Sequence, residues 1–179
     1  MLNQNVSAMK KFMTVLSLII ATTLVSWGQK YAFVDTEYIL NNIPSYKAAQ
    51  DKLDNLSKQW QKEIQDKYAE IDKLYKAYQN EAVLLTPEMK KKREEEIINK
   101  EKAVRALQQK YFGPEGDLFK KREELVKPIQ DEVYAAVKQI AVDGNYAVIF
   151  DIASGPMFLY TNPRYDLSDQ VLKKMGYKE

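Results

Sequence analysis

The fold is decided by residues 45–88, which read SYKAAQDKLDNLSKQWQKEIQDKYAEIDKLYKAYQNEAVLLTPE. Apolar side chains recur through this stretch at steps of three or four residues, the spacing of one face of an α-helix. These side chains are Leu53, Leu56, Trp60, Ile64, Tyr68, Ile71, Tyr75, Tyr78, Ala82 and Leu85. A helix from Ser45, its predicted cap, to about Leu84 would be about 60 Å long at the standard rise per residue.

A second helix is predicted to begin where the first one ends. Thr86 offers a capping hydroxyl, Pro87 suits the first helical position, and Glu88 places an acid in the first turn. The turn near residues 84–87 is so short that the two helices must be antiparallel neighbours. Folding the chain at this turn pairs Leu53 with Leu118, Trp60 with Tyr111, Ile64 with Leu107, and Leu74 with Ile97.

The return helix is interrupted at residues 113–116, which read Gly-Pro-Glu-Gly. Proline lacks a backbone donor and glycine loses too much freedom in a helix, so this segment predicts a break. Pro128 predicts a second kink or a restart of the helix. Gly144 is the predicted left-handed residue that ends it. The helical arm is therefore assigned to residues 45–142.

Short strands flank the arm on both sides. Residues 31–34 form a predicted strand that ends at Asp35, and residues 146–150 form one that ends at Asp151. A turn is predicted to return the second strand as a hairpin along residues 158–161, before a last helix capped by Ser168. A lone hairpin is marginal in water, so strands from both chain ends are expected to meet.

The predicted fold class is thus α+β, mostly α. A long antiparallel helical hairpin projects from a small β-rich body, which residues 29–44 and 143–179 build from both chain ends. A body of this size rarely stands alone, so we expect it to oligomerise through its sheet. The residues predicted to form the oligomer contact are Tyr31, Phe33, Val34, Val148, Ile149 and Phe150.

The first 28 residues have the pattern of an export signal. Lys10 and Lys11 precede an apolar run, and Ser26 and Gly28 give the small-residue spacing that signal peptidase cleaves. The alternative is a membrane anchor, but a run of about 14 residues is shorter than the roughly 20 that a spanning helix needs. Removing these two lysines from the 27 basic residues leaves 25, equal to the 25 acidic residues. A near-neutral mature chain gives no electrostatic case for nucleic-acid binding.

The chain has no His and no Cys. This composition excludes Cys and His nucleophiles, thiolate metal sites and disulfides, and it removes the usual general base at neutral pH. The sequence also lacks a glycine-rich phosphate loop. We therefore predict a protein that is not an enzyme and uses no cofactor or metal. Asp35 and Asp151 are interpreted as strand-end caps in preference to a catalytic carboxylate pair.

The order of elements resembles the Skp/OmpH family of periplasmic chaperones. The resemblance is carried by residues 31–35, the central charged hairpin, residues 116–118, residues 125–129 with Pro128, residues 146–151 and residues 165–172. It implies a homotrimer whose arms surround a cavity. It also implies ATP-independent, periplasmic binding of unfolded outer-membrane proteins, which prevents their aggregation. The alternative function is a structural helical-hairpin adaptor of an envelope export or efflux assembly.

Several arm residues are candidates for contact with partners. The candidates for client contact are Trp60, Tyr68, Tyr75, Tyr78, Leu84, Leu85 and Met89. For the tyrosines, the favoured interpretation is the seam between the two helices. Lys90, Lys91, Lys92 and Arg93 form a basic tip for weak lipid or lipopolysaccharide contact, or else a solvated helix face, because acids follow directly. Gly113, Pro114 and Gly116 are hinge candidates, the alternative being a fixed kink.

Overall fold

The computed structural model describes Met13, residues 29–153, Gly155 and residues 158–178. The predicted export signal and its cleavage site lie outside the described residues, apart from Met13. The predicted turn after Asp151 also lies partly outside them. Within the described part of the chain, no helix is both long enough and apolar enough to cross a membrane.

Within the described residues the fold consists of two strands, five α-helices and one short 3-10 helix. In chain order they are β1 (Lys30–Val34), α1 (Thr36–Asn41), α2 (Pro44–Glu81), α3 (Pro87–Phe112), α4 (Asp117–Gly144), β2 (Tyr146–Asp151), a short 3-10 helix (Pro163–Tyr165) and α5 (Ser168–Lys174). The predicted class is confirmed: the chain is mostly helical, with a long helical hairpin and a small sheet.

The sheet joins the two ends of the chain, as expected, and its strands are parallel. Tyr31 pairs with Val148, and Phe33 pairs with Phe150. Parallel neighbours need a long crossover connection, and here the whole helical hairpin supplies it. On the other side of β1, the backbone N–H of Leu167 donates to the Phe33 carbonyl at 2.8 Å.

The predicted β-hairpin is wrong. Residues 158–161 form no strand, and β2 pairs with β1 instead. The Phe158 ring packs over the sheet against Phe33 and Phe150, with ring centroids 5.5 Å from each. The Phe158 ring thus covers part of the sheet face, over Phe33 and Phe150, while the strand partner comes from the far end of the sequence.

Three predicted helix boundaries are also corrected. Ile43 precedes α2 and Pro44 is its first residue, so Ser45 is not the cap. Proline suits that position because the first helical N–H groups have no partner in any case. Asn145, with φ of 53°, takes the left-handed conformation that we assigned to Gly144, which stays within α4. Asparagine tolerates this region better than most residues.

At the start of α5, Leu167 and not Ser168 occupies the capping position. The Ser168 hydroxyl donates to Asp166 at 2.6 Å and accepts from the backbone N–H of Asp35 at 2.8 Å. Ser168 therefore ties the last helix to the end of β1. It is 2% exposed, and its hydrogen bonds offset the cost of burying a hydroxyl.

Pro128 neither ends nor restarts a helix, because α4 runs through it without interruption. Pro128 has no N–H to donate to the carbonyl of Glu124, one turn earlier in the helix. Both Pro128 and Glu124 are exposed. Water can hydrogen-bond to that carbonyl at an exposed position. The helix therefore tolerates this proline.

Two separate clusters of buried side chains stabilise the molecule. The body cluster includes Ala32, Ile39, Ile43, Val133, Ile140, Val171 and Leu172, and it reaches Leu53 and Val126 at the base of the arm. Among the described residues, the arm cluster has four buried side chains, Ile64, Ile71, Ile97 and Val104, with Leu74, Tyr78, Leu107, Tyr111 and Phe112 half-buried against them. The body is thus a packed core, whereas the arm is a thin two-helix seam.

Candidate functional site: the helical arm and the sheet face

An aromatic stack joins α2 and α3 at the base of the arm. The rings of Trp60 and Tyr111 lie parallel, with centroids 4.6 Å apart and planes 8° from each other. Phe112 meets Trp60 edge-on at 6.3 Å. The predicted pairing of Trp60 with Tyr111 is therefore confirmed.

Polar contacts cross the same seam. The Tyr111 hydroxyl donates to Glu63 at 3.0 Å, and the Tyr78 hydroxyl donates to Glu94. Hydrogen bonding to the carboxylate, followed by desolvation, raises the pKa of both tyrosines above the ordinary value. Near neutral pH both tyrosines are therefore protonated donors. They fix the register between α2 and α3.

The candidates for client contact fall into two groups. Trp60, Tyr78 and Leu85 are half-buried, and Trp60 and Tyr78 belong to the seam. Tyr68, Tyr75, Leu84 and Met89 are exposed. The tyrosine stripe is therefore divided: Tyr78 packs in the seam, as the favoured interpretation held, while Tyr68 and Tyr75 are 43% and 46% exposed.

The reversal between α2 and α3 exposes apolar side chains at the end of the arm. Leu84 is 85% exposed and Val83 is 91% exposed. Thr86 caps α3 as predicted, because its hydroxyl accepts from the backbone N–H of Met89 at 3.3 Å. Val83 was not among the predicted contact residues. The run of apolar residues at 82–85 could have indicated that Val83 is exposed at the turn.

Two of the four basic residues at the tip, Lys91 and Arg93, are paired with acids. Arg93 lies 3.4 Å from Glu96 and 3.9 Å from Glu81, and Lys91 lies 3.9 Å from Glu95. These exposed pairs are weak. They nevertheless cancel much of the positive charge at the tip. A strongly basic surface is therefore not formed.

The break between α3 and α4 is tightly packed. A Cβ added at Gly113 would lie 2.4 Å from the Gln109 carbonyl oxygen, and one at Gly116 would lie 2.8 Å from the Tyr111 carbonyl oxygen. Neither glycine has a positive φ, so close backbone approach is the reason for glycine at both positions. Pro114 lies between them and is exposed.

One face of the sheet is aromatic and only partly covered. Tyr31, Phe33, Val148 and Phe150 share this face, because Tyr31 pairs with Val148 and Phe33 with Phe150. Tyr31 is 51% exposed. Phe158 adds a third phenylalanine ring, which sequence reasoning missed because it assigned this residue to a strand. Val34 and Ile149 point the other way and pack into the body cluster of their own chain.

Asp35 and Asp151 act as the predicted strand-end caps. The Asp35 carboxylate accepts from the backbone N–H of Tyr38 at 2.9 Å. The Asp151 carboxylate accepts from the Thr36 hydroxyl at 2.7 Å and from the Ala153 N–H at 3.0 Å. These bonds fix the ends of both strands to the start of α1.

The fold defines a class of protein in which a helical hairpin is inserted between two parallel strands of a small α/β body. The family model described as "Outer membrane protein (OmpH-like)" matches residues 30–175. The chain therefore belongs to the OmpH-like family. This confirms the family that the order of elements indicated.

Two individual proteins illustrate the relationship. An uncharacterised protein of Aquifex aeolicus (strain VF5) is 29% identical over 167 residues, which cover 93% of this chain and 96% of that protein. The crystal structure of an OmpH-like protein of Caulobacter crescentus CB15, described as a candidate outer membrane chaperone, superposes with a TM-score of 0.65. That comparison covers 81% of this chain and 82% of the other at 14% identity, so it supports the fold alone.

Proposed function

We propose that this protein is an exported holdase chaperone that binds unfolded outer-membrane proteins in the periplasm and prevents their aggregation. It acts by binding alone, without ATP, a cofactor or catalysis. The observation that carries the proposal is the thin arm, whose buried core is only Ile64, Ile71, Ile97 and Val104. A two-helix hairpin of this length presents most of its side chains outward. It therefore offers a large surface for a polypeptide that has no fixed shape.

The export signal proposed for residues 1–28 supports the compartment, and so does the membership of the OmpH-like family. In this proposal residues 29–44 and 143–179 form the body, and residues 45–142 form the arm. The arm turns near residues 84–87 and is interrupted at 113–116, where Gly113, Pro114 and Gly116 are the hinge candidates.

We propose a homotrimer that assembles through the aromatic sheet face. On this face Tyr31, Val148 and Phe150 are 51%, 41% and 37% exposed, and adjacent exposed apolar side chains of this kind mark interaction surfaces. The Caulobacter crescentus relative shares the fold, and a trimer of such hairpins would enclose a cavity between its arms. Client segments would bind in that cavity.

The tip suggests a second, weaker activity. Val83, Leu84 and Met89 are exposed beside Lys90, Lys91, Lys92 and Arg93. We propose only weak lipid or lipopolysaccharide contact here, because Glu81, Glu95 and Glu96 offset the basic charge. Salt would screen such contact readily.

The exposed apolar tip also fits a different function, a structural adaptor that docks one fixed partner of an envelope assembly. A pull-down from envelope extracts distinguishes the two functions. One stoichiometric inner-membrane partner would favour the adaptor. Many unfolded clients would favour the chaperone.

The direct test is suppression of aggregation. A β-barrel membrane protein is diluted from denaturant into buffer with the purified mature chain, and light scattering is followed without nucleotide. We expect scattering to fall as the chain is added and to be unaffected by ATP. Undiminished scattering at a several-fold molar excess of the chain would overturn the proposal.

A further inference from the structure

The two flanks of helix α2 differ sharply in charge. The seam positions of α2 step by four and three residues and are Trp60, Ile64, Lys67, Ile71, Leu74 and Tyr78; all of them except the exposed Lys67 are buried or half-buried. The residues that follow these positions by one are Gln61, Gln65, Tyr68, Asp72, Tyr75 and Gln79, and we call this set the Tyr–Gln stripe. Their spacing alternates between four and three residues, so they lie along one side of the helix, about 100° from the seam. Asp72 is the one charged member, and its carboxylate pairs with Lys76 at 2.6 Å.

The opposite flank is charged. The residues that precede the seam positions by one are Gln59, Glu63, Asp66, Glu70, Lys73 and Ala77. Glu63 also accepts the hydrogen bond from Tyr111, so this side takes part in holding the hairpin together. A charged flank keeps bound water and resists an uncharged partner, because covering it would desolvate the charges.

The tyrosines of the seam and those of the stripe differ in whether their hydroxyls are hydrogen-bonded. Tyr78 and Tyr111 donate their hydroxyls to glutamates across the seam. The hydroxyls of Tyr68 and Tyr75 make no hydrogen bond within the part of the chain that the structure describes. Their rings are about half exposed. They therefore stabilise the hairpin little and are available to a partner.

One apolar residue of the neighbouring helix borders the stripe, between the exposed, charged Glu95 and Arg105 on the same side of α3. Trp60 contacts Tyr111 and Tyr78 contacts Glu94, and this register brings Ile98 of α3 close to the level of Tyr75. Ile98 follows the buried Ile97 by one residue and is 46% exposed. An exposed isoleucine thus adds apolar surface at the level of the second tyrosine.

We propose that the Tyr–Gln stripe, together with Ile98, is the face of the arm that binds the client. Its occupant is an extended, uncharged segment of an unfolded polypeptide that carries aromatic or aliphatic side chains. This inference rests on the proposed chaperone function and assigns its binding face. Tyrosine supplies apolar area and glutamine supplies adaptable hydrogen bonds, at little cost in desolvated charge.

A second copy of the chain is a poorer occupant. Permanent interfaces between copies are more apolar than this surface, which alternates tyrosine with glutamine. A reversible contact with many sequences needs the opposite character, with modest apolar area and adaptable polar groups. The composition of the stripe fits this second requirement.

The test is photo-crosslinking in the full assembly, with p-benzoylphenylalanine at position 68 or 75. Glu70 and Ala77 give matched control positions, because they have the same spacing, are exposed and lie on the charged flank. With an unfolded β-barrel protein as client, we expect crosslinks to the client at 68 and 75 and few at 70 and 77. Equal crosslinking from both flanks, or crosslinks from 68 and 75 to a second copy, would overturn the assignment.

A pair of variants gives a second readout. Tyr75→Glu puts a charge into the stripe, whereas Ala77→Glu puts the same charge on the other flank. We expect Tyr75→Glu to weaken client binding about tenfold and Ala77→Glu to change it less than about twofold. Thermal unfolding of both variants should match the parent, since neither side chain belongs to the arm cluster.

These measurements distinguish a wrong binding face from a wrong function. If the parent protein suppresses aggregation and Tyr75→Glu binds clients as tightly as Ala77→Glu, the stripe is the wrong face and the chaperone function stands. If the parent protein itself fails to bind or protect any client, the proposed function fails and this inference fails with it.

Discussion

The Trp60 ring lies flat on the Tyr111 ring, with centroids 4.6 Å apart, at the level where the return helix is about to break. Stacked aromatic pairs contribute about 0.5–1.5 kcal/mol beyond their buried area. This pair joins an uninterrupted helix, α2, to the last turn of α3. It therefore aligns the arm just above the body.

Loss of this stack should loosen the hairpin. We expect Trp60→Ala to destabilise the arm by about 1–3 kcal/mol, less than for a fully buried tryptophan, because Trp60 is half-buried. Denaturant unfolding followed by circular dichroism measures this change. Tyr68→Ala is the control, since its ring is exposed outside the seam, and it should cost less than about 0.5 kcal/mol. An equal loss for both variants would contradict the seam that we describe.

The tyrosine–glutamate bonds predict a dependence on alkaline pH. Hydrogen bonds to Glu94 and Glu63 raise the pKa of Tyr78 and Tyr111, so the folded state holds these protons more tightly than the unfolded state does. The stabilisation is fully present below the ordinary tyrosine pKa of about 10. It is lost as the pH rises through the higher folded-state pKa.

The corresponding variant is Tyr78→Phe combined with Tyr111→Phe. At neutral pH it should unfold at a lower urea concentration than the parent protein, because both cross-seam bonds are lost. Above about pH 10 the difference between the two midpoints should shrink, since the parent tyrosines ionise and the phenylalanines cannot. A constant difference across this range would rule out the hydrogen bonds as its source.

The two separate clusters predict that the arm and the body lose structure independently. We expect Ile71→Ala to speed hydrogen exchange in the parts of α2 and α3 that lie farthest from the body. We expect little change in β1, β2 and α5. Leu172→Ala should act on the body and cost about 2–5 kcal/mol, because Leu172 is fully buried there. Hydrogen-exchange mass spectrometry of both variants measures the pattern. Uniform acceleration over the whole chain in both cases would mean one cooperative unit.

The sequence predicted the arm well because helical periodicity is a local signal. The steps of three and four residues, the start signal at Thr86 and the match of Trp60 with Tyr111 all follow from residues close together in the chain or from simple folding about one turn. The Gly-Pro-Glu-Gly break at residues 113–116 is equally local. These features needed no knowledge of the body.

The body was predicted less well because its contacts join distant segments. Aromatic and β-branched side chains at residues 158–161 indicate a strand, yet they cannot show that β1 pairs with β2 and that Phe158 packs over part of the sheet. Ser168 was assigned to a local cap, whereas its hydroxyl accepts from Asp35 at the other end of the chain. The candidate contact residues in the arm were chosen because they are apolar or aromatic. Which of them pack in the seam and which are exposed depends on the register between α2 and α3, which the sequence does not give for every residue.

The break between α3 and α4 predicts intolerance of a single methyl group. A Cβ at Gly116 would lie 2.8–2.9 Å from the carbonyl oxygens of Tyr111 and Lys110. We expect Gly116→Ala to destabilise the protein by about 1–3 kcal/mol, since backbone must move to admit it. Glu115→Ala is the control at an exposed neighbouring position and should be nearly neutral. Equal midpoints of thermal unfolding for the two variants would contradict this packing.

The aromatic sheet face predicts where the copies of the chain meet. We expect Val148→Glu to dissociate the assembly, because Val148 lies on that face beside Tyr31. Val142→Glu makes the same change at an exposed valine on α4 and should leave the assembly intact. Sedimentation velocity measures the mass of both. An unchanged mass for Val148→Glu would exclude this face as the contact.

The most direct test of the account is native mass spectrometry of the mature chain mixed with an unfolded β-barrel protein in the absence of nucleotide. We expect a species that contains three copies of the chain and one client. Detection of the chain only in its client-free form, under conditions where the client alone aggregates, would contradict the proposed function.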